Sequence, residues 1–531
     1  MILDRLLLRY KIPLLVFACG YLIVAHYLFL GFNSWDGLSY RIPPVVELVQ
    51  HGDFGGWKFD YAPAQYFYPF FELIHVPFLK VMGLSGLYFS FSLILLPAAV
   101  ISVYLFVREL TGNQRWGVYS ALAFLAIPFV NTQPFSGYID FAVIGALAFL
   151  SYALLRAYRA EQLTNSTASL LALATFVFSM SRQHAPYVAV LLAGALAIWH
   201  FLPWNESNQA KSRGWGQRTT RVGLVLLVVG LGLLPAAALQ YSRYLEFGSP
   251  IYPYRFEAFG ISTPVGISRA DTARFAGLSA PDWRGLLAGF RNGWLLAQDW
   301  PLNFYDSRDM GVGLMLWIAL LTFPILDELV RRDLAFTLVV FVALAISVQD
   351  FWLPRWSMTL ILVLALVVGG ALTWFATRGP RLIATILTVA VILHLARPIY
   401  DAYSMIERGS WYIRANLADS PLFIGSEIAP GVIPLYPDLE ADLQIVRPVK
   451  DGFILPLYGR RLSNQIVGIA TPGQIDETCA ILGASGDPSG RTTLIVDQSR
   501  TLTQSVAGCE WVCEVIQEGV CLAGRLARVG G

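Results

Sequence analysis

The sequence predicts an α-helical polytopic membrane protein with roughly 11 transmembrane helices, outer juxtamembrane helices and a small C-terminal α/β domain outside. Its 531 residues are 56% hydrophobic and only 14% charged. Soluble domains average about 25% charged residues, so lipid must cover part of this surface. Long apolar runs recur as far as residue 397, and a polar region with short β-like runs follows.

The apolar runs approach or exceed the roughly 20 residues that cross a bilayer. A basic segment, Met1 to Lys11, precedes the first run, and no small-residue cleavage site follows it. We therefore expect a retained first span rather than a removed signal peptide. The candidate spans are 12–31, 84–107, 117–133, 138–157, 168–181, 186–203, 222–240, 311–326, 334–349, 357–376 and 382–397.

Lysine and arginine set the expected orientation, because they are enriched in cytoplasmic loops. If the spans alternate in direction, the basic ends and short loops all fall on one side, which is expected to be cytoplasmic. Residues 66–82 are apolar too, but counting them as a span would move the later basic loops outside. Their Glu72, His75 and Lys80 also suit an interfacial helix. We therefore expect 66–82 to form a juxtamembrane helix at the outer surface.

This topology predicts a transmembrane module over 1–400 and an outer α/β domain over 401–531. The module carries a first outer loop at 32–83 and a long outer loop at 241–310. Glycine, proline and aspartate turns separate the β-like runs of the outer domain. These runs lie at 422–424, 444–446, 466–469 and 494–496.

Four of the five cysteines, Cys479, Cys509, Cys513 and Cys521, fall in the outer domain. An even number in one domain suggests two disulfides in an oxidising compartment, with three connectivities open. Four reduced thiols are the alternative. A zinc site is disfavoured, because no CxxC pair and no histidine accompany them.

The first outer loop carries Asp36 just after the first span, at the depth of the lipid headgroups. Carboxylates near the hydrocarbon are costly and often functional. This one could act as a base on an acceptor hydroxyl. The alternative is that Asp36 caps a helix that starts near Leu38 and includes Glu47.

Further ionisable residues are expected at the same outer face. Asp140 lies at the outer end of a span and could equally be a helix cap. Arg182 and Arg355 could bind a lipid phosphate or could extend to the interface as ordinary anchors. Arg255 lies in the long outer loop, after a Gly- and Pro-containing turn that suits either a site or an anchored loop.

Several classes of protein are disfavoured by what the sequence lacks. The net charge is only +2 and no basic stripe with interleaved aromatics occurs, which argues against a nucleic-acid partner. No phosphate-binding glycine loop, HExxH or GxSxG element stands out. A nucleotide-driven pump and a serine hydrolase are therefore disfavoured.

The first outer loop resembles that of the GT-C superfamily of membrane glycosyltransferases, which use polyprenyl-phosphate-linked sugars. The superfamily includes protein O-mannosyltransferases and the aminoarabinose transferases of lipid A. Bacterial members begin this loop with a Trp-Asp-x-x-x-Tyr-His-like sequence. Here residues 35–41 read Trp-Asp-Gly-Leu-Ser-Tyr-Arg, with Arg41 in place of the usual histidine.

Other elements of the superfamily pattern follow in order, over roughly residues 10–400. The Tyr-Pro-Pro-like segment has lost its second proline, the Thr-Gln-x-Asp-like turn is stretched as far as Asp140, and the late Arg-Tyr-x-x-Pro-like start lacks its proline. Beyond that range, the Leu-Tyr-Gly sequence at 457–459 resembles an element of the C-terminal domain in this group. The matching segments are 68–70, 132–140, 248–253, 355–356 and 457–459.

The resemblance implies a GT-C-like fold and roles for the candidate residues. Asp36 would be the catalytic base of an inverting transfer from a polyprenyl-phosphate carrier. Arg182, and secondarily Arg355, would hold the charge of the lipid phosphate, since a lipid phosphate is a stable leaving group and needs no general acid. Asp140 would shape the site. The remaining candidates for donor or substrate binding are Tyr40, Arg41, Asp60 and Arg255.

The expected partners are the lipid-linked sugar donor, membrane lipids and an acceptor that is a glycan, a lipid or a protein. The resemblance implies a bacterial inner membrane, with the C-terminal domain periplasmic. No cofactor is assigned, and a divalent metal stays open. The alternatives are a transporter or flippase for lipid-linked glycans, which should carry ionisable residues in mid-span, and an assembly scaffold.

Overall fold

The computed structural model describes a large part of the helical region and selected parts of the remainder. The described residues are 20, 37, 41–53, 69–87, 91–127, 130, 133, 138–160, 162–201, 215–251, 255, 257–258, 261–265, 318–319, 336–337, 339–344, 358–380, 382–383, 385–389, 391, 423–425, 432–434, 442–445, 458, 461–469, 492–495, 509–517 and 520–528. Its α-helices are α1 (Pro43–His51), α2 (His75–Met82), α3 (Leu96–Thr111), α4 (Gln114–Ala126), α5 (Asp140–Arg159), α6 (Asn165–Ser179), α7 (Ala185–Phe201), α8 (Trp215–Phe247) and α9 (Met358–Thr377).

The chain divides into two compact units. The first, the helical unit, comprises Met1–Val24, Ser92–Pro134 and Ile139–Asp401. The second, the mixed unit, comprises Ala25–Phe91, Phe135–Tyr138 and Ala402–Gly531. The first outer loop therefore groups with the C-terminal region, an association that sequence order alone does not predict.

Within the described residues of the helical unit, four helices are long and apolar enough to cross a membrane. The chain is accordingly a multi-pass membrane protein with a mostly helical fold. These spans lie at Leu93–Thr111, Asp140–Arg159, Thr219–Phe247 and Met358–Thr377, at four of the predicted positions. The predicted spans 168–181 and 186–203 appear as the shorter apolar helices α6 and α7. The predicted span 117–133 is a 13-residue helix, α4. The predicted spans 12–31 and 311–326 fall largely outside the described residues, and half of the residues of 334–349 and of 382–397 are described.

Helix α5 lies at the centre of the helical unit. Of the residues in its most apolar stretch, 89% are buried by protein, whereas in α8 only 22% of such residues are buried. The low value fits a helix whose apolar side chains face lipid instead of other helices. Helix α5 packs on α3 and α6, and α6 packs on α8.

Helices α4 and α9 approach closely because a glycine pair removes side chains from the contact. A Cβ atom on Gly369 would lie 2.5 Å from the backbone nitrogen of Ser120, and one on Gly370 would meet the Trp116 ring. The Trp116 indole donates to the Leu366 carbonyl across the same contact, at 2.8 Å. Small residues at such contacts are the usual means of helix packing in membranes.

Helix α8 ends at Phe247, and the next residue, Gly248, adopts a left-handed backbone conformation with φ of 72°. Its N–H donates to the Tyr244 carbonyl at 2.9 Å. Glycine is the residue that best tolerates this conformation at a helix C-terminus. The Gly-Ser-Pro start of the family-like 248–253 element is thus the terminator of α8.

In the mixed unit, the first outer loop contributes α1 and the segment 69–87. The N-cap residue of α1 is Ile42 and the helix begins at Pro43. Asp36 lies outside the described residues, so the expectation that it caps a helix stays a prediction. Pro43 suits the first helical position because its missing N–H has no partner to lose there.

The predicted juxtamembrane segment 66–82 contains a 3₁₀ turn, Glu72–Ile74, followed by α2. Eight α-helical residues rise only about 12 Å, so α2 is too short to span a bilayer. Glu72 and His75, expected at an interface, are instead fully buried within the protein. Lys80 and Val81 are exposed on the same segment.

In the long outer loop, β1 (Glu257–Ala258) pairs with β2 (Ile261–Ser262). The strands described in the C-terminal region are β3 (Phe423–Gly425), β4 (Val432–Pro434), β5 (Asp442–Ile445), β6 (Gln465–Ile469), β7 (Thr492–Ile495), β8 (Cys509–Gln517) and β9 (Val520–Arg528).

The strands β5 to β9 form a mixed sheet in the order β6-β5-β7-β9-β8. Strand β5 is parallel to both β6 and β7, and β9 is antiparallel to β7 and β8. Strands β3, β5, β6 and β7 lie at the predicted β-like runs, and the long hairpin β8–β9 was not predicted.

The two disulfides expected among Cys479, Cys509, Cys513 and Cys521 stay a prediction. Cys479 lies outside the described residues, and for the other three the structure describes the backbone position alone, with Cys509 and Cys513 on β8 and Cys521 on β9.

Candidate functional site

The helical unit brings together two residues that the sequence assigned to one face. Asp140 is the first residue of α5, and Arg182 lies in the turn between α6 and α7. The Arg182 guanidinium forms an ion pair with the Asp140 carboxylate. The carboxylate is fully buried, and the arginine side chain is 15% exposed. Arg182 therefore does not extend to the interface as an ordinary anchor.

The helix-cap alternative for Asp140 is also wrong. The N-cap residue of α5 is Ile139, which makes no capping hydrogen bond through its side chain. Gln133 supplies the missing acceptor: its Oε1 atom accepts from the Phe141 N–H at 2.8 Å. Its Nε2 atom donates to Asp140 Oδ2 at 2.9 Å. One buried amide thus caps the helix and orients the carboxylate.

The position of Asp140 is also electrostatically suited to a carboxylate. The N-terminus of a helix carries a partial positive charge, which stabilises an anion in the first turn. Arg182 adds a full positive charge, and the Gln133 amide adds a donor. We refer to Gln133, Asp140 and Arg182 as the acid–arginine cluster.

The turn that carries Arg182 is fixed by several hydrogen bonds. The Ser181 hydroxyl donates to the Phe178 carbonyl at 2.6 Å, and the Gln240 amide of α8 donates to the Gln183 carbonyl at 2.6 Å. Burial and, to a smaller degree, the Arg182 charge lower the pKa of the His184 imidazole. His184 is therefore neutral at pH 7, and Arg182 is the charged group of this turn.

The mixed unit holds a second pair of buried ionic groups, near the first-loop motif. Arg41 Nη1 lies 2.8 Å from Glu72 Oε1, with both side chains almost fully buried. The N–H of the next residue, Ile42, donates to the Gly37 carbonyl at 3.3 Å. The turn that follows Asp36 in sequence is thus joined to the 3₁₀ turn at Glu72.

A third buried contact joins α1 to the C-terminal region. The Tyr458 hydroxyl donates to Glu47 Oε1 at 2.7 Å, and both side chains are fully buried. Burial and the Glu47 carboxylate raise the pKa of the Tyr458 hydroxyl, so it remains protonated and donates. Gln50, one turn further along α1, donates to the Leu462 and Asn464 carbonyls at 2.7 and 2.9 Å.

The other predicted site residues are less informative. Asp36, Tyr40, Asp60 and Arg355 lie outside the described residues. Arg255 is half-buried in the long outer loop, and its Nη2 atom lies 3.5 Å from the Pro264 carbonyl. Among the residues that the structure describes, no three His, Cys, Asp or Glu side chains are grouped to hold a metal ion.

Sequence reasoning missed the polar partners of the predicted residues. Gln133, Glu47 and Glu72 are fully buried, yet none was singled out as a site residue. A signal existed for Arg243, which is 8% exposed and lies three residues after Gln240 on the same face of α8. Its position just after the predicted span 222–240 is the signal that the sequence offers.

Comparisons of the sequence with protein-family models and with curated proteins give no match. Solved structures do show similarity. The Archaeoglobus fulgidus oligosaccharyltransferase in the apo form aligns with a TM-score of 0.44 and 15% identity, over 88% of this chain and 65% of that one. The chain thus matches slightly less than two thirds of the archaeal protein's length.

ArnT from Cupriavidus metallidurans, bound to undecaprenyl phosphate, aligns with a TM-score of 0.48 and 14% identity, over 90% of this chain and 88% of that one. Both TM-scores lie below 0.5, and both identities lie below 25%.

Proposed function

We propose that this protein is a glycosyltransferase of the GT-C type, which moves a sugar from a polyprenyl-phosphate carrier to an acceptor hydroxyl. The observation that supports it is the acid–arginine cluster at the end of a membrane-spanning helix. An arginine that is oriented by a buried carboxylate, and still 15% exposed, can offer N–H donors to a phosphate at headgroup depth. Arginine suits this task because its donors match phosphate oxygens two at a time.

The ion pair with Asp140 prepares Arg182 for this role. A free arginine side chain would lose rotamer freedom on binding a phosphate, at a cost in affinity. Here Asp140, Gln133 and the anchored turn already restrict the Arg182 side chain in the folded protein, before any phosphate binds. Arg182 is thus positioned before the donor arrives, which is how electrostatic stabilisation of a leaving group works best.

In the proposed reaction, Asp36 accepts the proton of the acceptor hydroxyl. The acceptor oxygen then forms a bond to the anomeric carbon, on the face opposite the phosphate. The bond between that carbon and the phosphate oxygen breaks, and its electron pair stays with the lipid phosphate, next to Arg182. The configuration of the sugar is inverted. The proton transfer to Asp36 is general base catalysis. The interaction of Arg182 with the leaving phosphate is electrostatic stabilisation.

We further propose that the reaction takes place at the outer face of a bacterial inner membrane, with the N-terminus cytoplasmic and the C-terminal domain periplasmic. The partners are then a lipid-linked sugar and an acceptor glycan, lipid or protein. A carrier of lipid-linked glycans is a weaker alternative, because the ionisable side chains of the four described spans lie near the span ends. A translocation path would place some of them in mid-span.

The test compares envelope glycans of cells that lack the gene with those of cells complemented by defined variants. Wild-type protein and Asp53→Asn, which alters an exposed acid of the same loop, should restore one glycan modification that the deletion removes. Asp36→Asn should be inserted in the membrane at the wild-type level and should not restore it. Restoration by Asp36→Asn would overturn the proposal, and so would a deletion with no glycan change.

A further inference from the structure

A contact within the mixed unit joins α1 to the segment 458–464 of the C-terminal region, and it is not part of the acid–arginine cluster. Glu47 and Tyr458 are separated by 411 residues in sequence, yet their side chains meet at 2.7 Å in a fully buried position. A buried carboxylate is expensive unless it is hydrogen-bonded. An ionisable side chain therefore takes part in the contact that holds these two segments together.

Gln50 makes a second connection between the same two segments. Its side-chain amide donates both to the Leu462 carbonyl and to the Asn464 carbonyl. Both donor hydrogens of one amide are therefore used on a single turn of the C-terminal region. Positions 47 and 50 lie on the same face of α1, because residues three apart are neighbours on a helix.

The accepting turn is itself built for this contact. Leu462 has φ of 58°, a left-handed conformation that is unfavourable for a residue with a Cβ atom. The Asn464 N–H donates to the Tyr458 carbonyl at 3.2 Å and closes the turn. Strained backbone of this kind persists where surrounding contacts over-determine it, often at functional positions. In this conformation the Leu462 carbonyl accepts from the Gln50 side-chain amide.

Helix α1 is connected at its other end to the first-loop motif. The N–H of its N-cap residue, Ile42, donates to the Gly37 carbonyl, and Gly37 directly follows Asp36. The chain from Asp36 to α1 is therefore short, and a displacement of α1 is transmitted to the turn at Gly37. A misplacement of about 1 Å at a catalytic group can reduce a rate by about 100-fold.

We infer that the C-terminal domain holds the first outer loop in its reactive position through α1, with Tyr458 and Gln50 as positioning residues. The inference rests on the proposed function, because it assigns to Asp36 the role described above. It gives the C-terminal domain a task within the reaction step that does not depend on recognition of the acceptor.

The experiment measures hydrogen exchange and transfer kinetics on the purified full-length protein. Tyr458→Phe removes one hydroxyl and leaves the ring, and it should increase amide exchange in α1 about ten-fold, since a hydrogen bond to a charged group is lost. The turnover number for transfer should fall about ten-fold, while KM for the lipid-linked donor stays within two-fold. Gln50→Glu, which replaces the double donor by an acceptor, should give the same pattern.

Two controls separate positioning from general damage. Tyr241→Phe alters an exposed tyrosine of α8 and should leave exchange and kinetics unchanged. Glu47→Gln retains an acceptor oxygen for Tyr458 and should keep α1 protected, whereas Glu47→Leu should not. Increased exchange that is confined to α1, with protection of α5 retained, shows that the variants are folded.

The outcomes distinguish this inference from the proposed function. If Asp36→Asn abolishes transfer but Tyr458→Phe and Gln50→Glu change neither exchange in α1 nor turnover, the inference is wrong and the proposed function stands. Faster exchange in α1 with unchanged turnover would also overturn it. If Asp36→Asn transfers sugar normally, the proposed function itself fails.

Discussion

The Asp140 carboxylate and the Arg182 guanidinium form an ion pair that joins the first residue of α5 to the turn after α6. The carboxylate is fully buried and the arginine is only slightly exposed. Because solvent screens the two charges only weakly in this buried position, each charge is stabilised mainly by the other. Gln133 adds a neutral hydrogen bond to the same carboxylate.

Loss of Arg182 should destabilise the protein more than loss of the Asp140 charge. Arg182→Ala leaves a fully buried carboxylate without its cation, at a cost of about 3 kcal/mol. Asp140→Asn should cost less, because the arginine retains some exposure to solvent. Equilibrium unfolding in detergent measures both, with Arg156→Gln, an exposed arginine of α5, as the matched control. The double variant should cost less than the sum of the single variants, and strict additivity would contradict the coupling.

Gln133→Glu should produce a stability defect that depends on pH. The introduced carboxyl can still accept from the Phe141 N–H, but at neutral pH it replaces the donor to Asp140 by a like charge. On acidification it becomes protonated and can donate again, so the difference from wild type should shrink as the pH falls. Thermal unfolding at pH 5 and pH 8 tests this. A difference that is equal at both values would contradict the proposed contact.

His75 should make the protein sensitive to acid. Burial lowers the pKa of the His75 imidazole from 6.5 to about 3. Between these values the unfolded chain binds a proton that the folded chain does not, so stability is lost as the pH falls below about 6.5. The loss approaches about 1.4 kcal/mol per pH unit. His75→Gln should flatten this dependence between pH 6.5 and 5, as measured by unfolding, and an unchanged slope would contradict the burial of a neutral imidazole.

The contact between α4 and α9 should tolerate no side chain at Gly369. A methyl group there would meet the backbone of Ser120, so Gly369→Ala should lower the midpoint of thermal unfolding. Gly230→Ala in α8 is the matched control, because a Cβ atom there has nothing within 4 Å. It should raise stability by about 0.5–1 kcal/mol through the lower entropy of the unfolded chain. Equal effects of the two substitutions would contradict the close helix contact.

Much of the helical unit was predictable because a span must be long and apolar. The four described spans lie at predicted positions, and Arg108, Arg156 and Arg159 lie in the last turns of their helices. The positive-inside argument also excluded 66–82 as a span, and α2 within it is indeed too short to be one.

The partners within the site were not predictable in the same way. A lone Asp140 or Arg182 has several local explanations, such as a cap or an anchor, and only the packing of α5 against α6 brings them into contact. Likewise, Arg41 was expected to bind the donor, but it pairs with Glu72, 31 residues away. Contacts of this kind depend on tertiary structure, which local periodicity does not encode.

Release of free polyprenyl phosphate by the purified protein tests the central claim most directly. The substrate is the lipid-linked sugar fraction extracted from cells of the same source, and mass spectrometry measures the product together with the glycosylated acceptor. Wild type and Asp53→Asn should release the lipid phosphate, and Asp36→Asn should do so at least about 100-fold more slowly while it unfolds at the wild-type temperature. Undiminished release by Asp36→Asn would contradict the account.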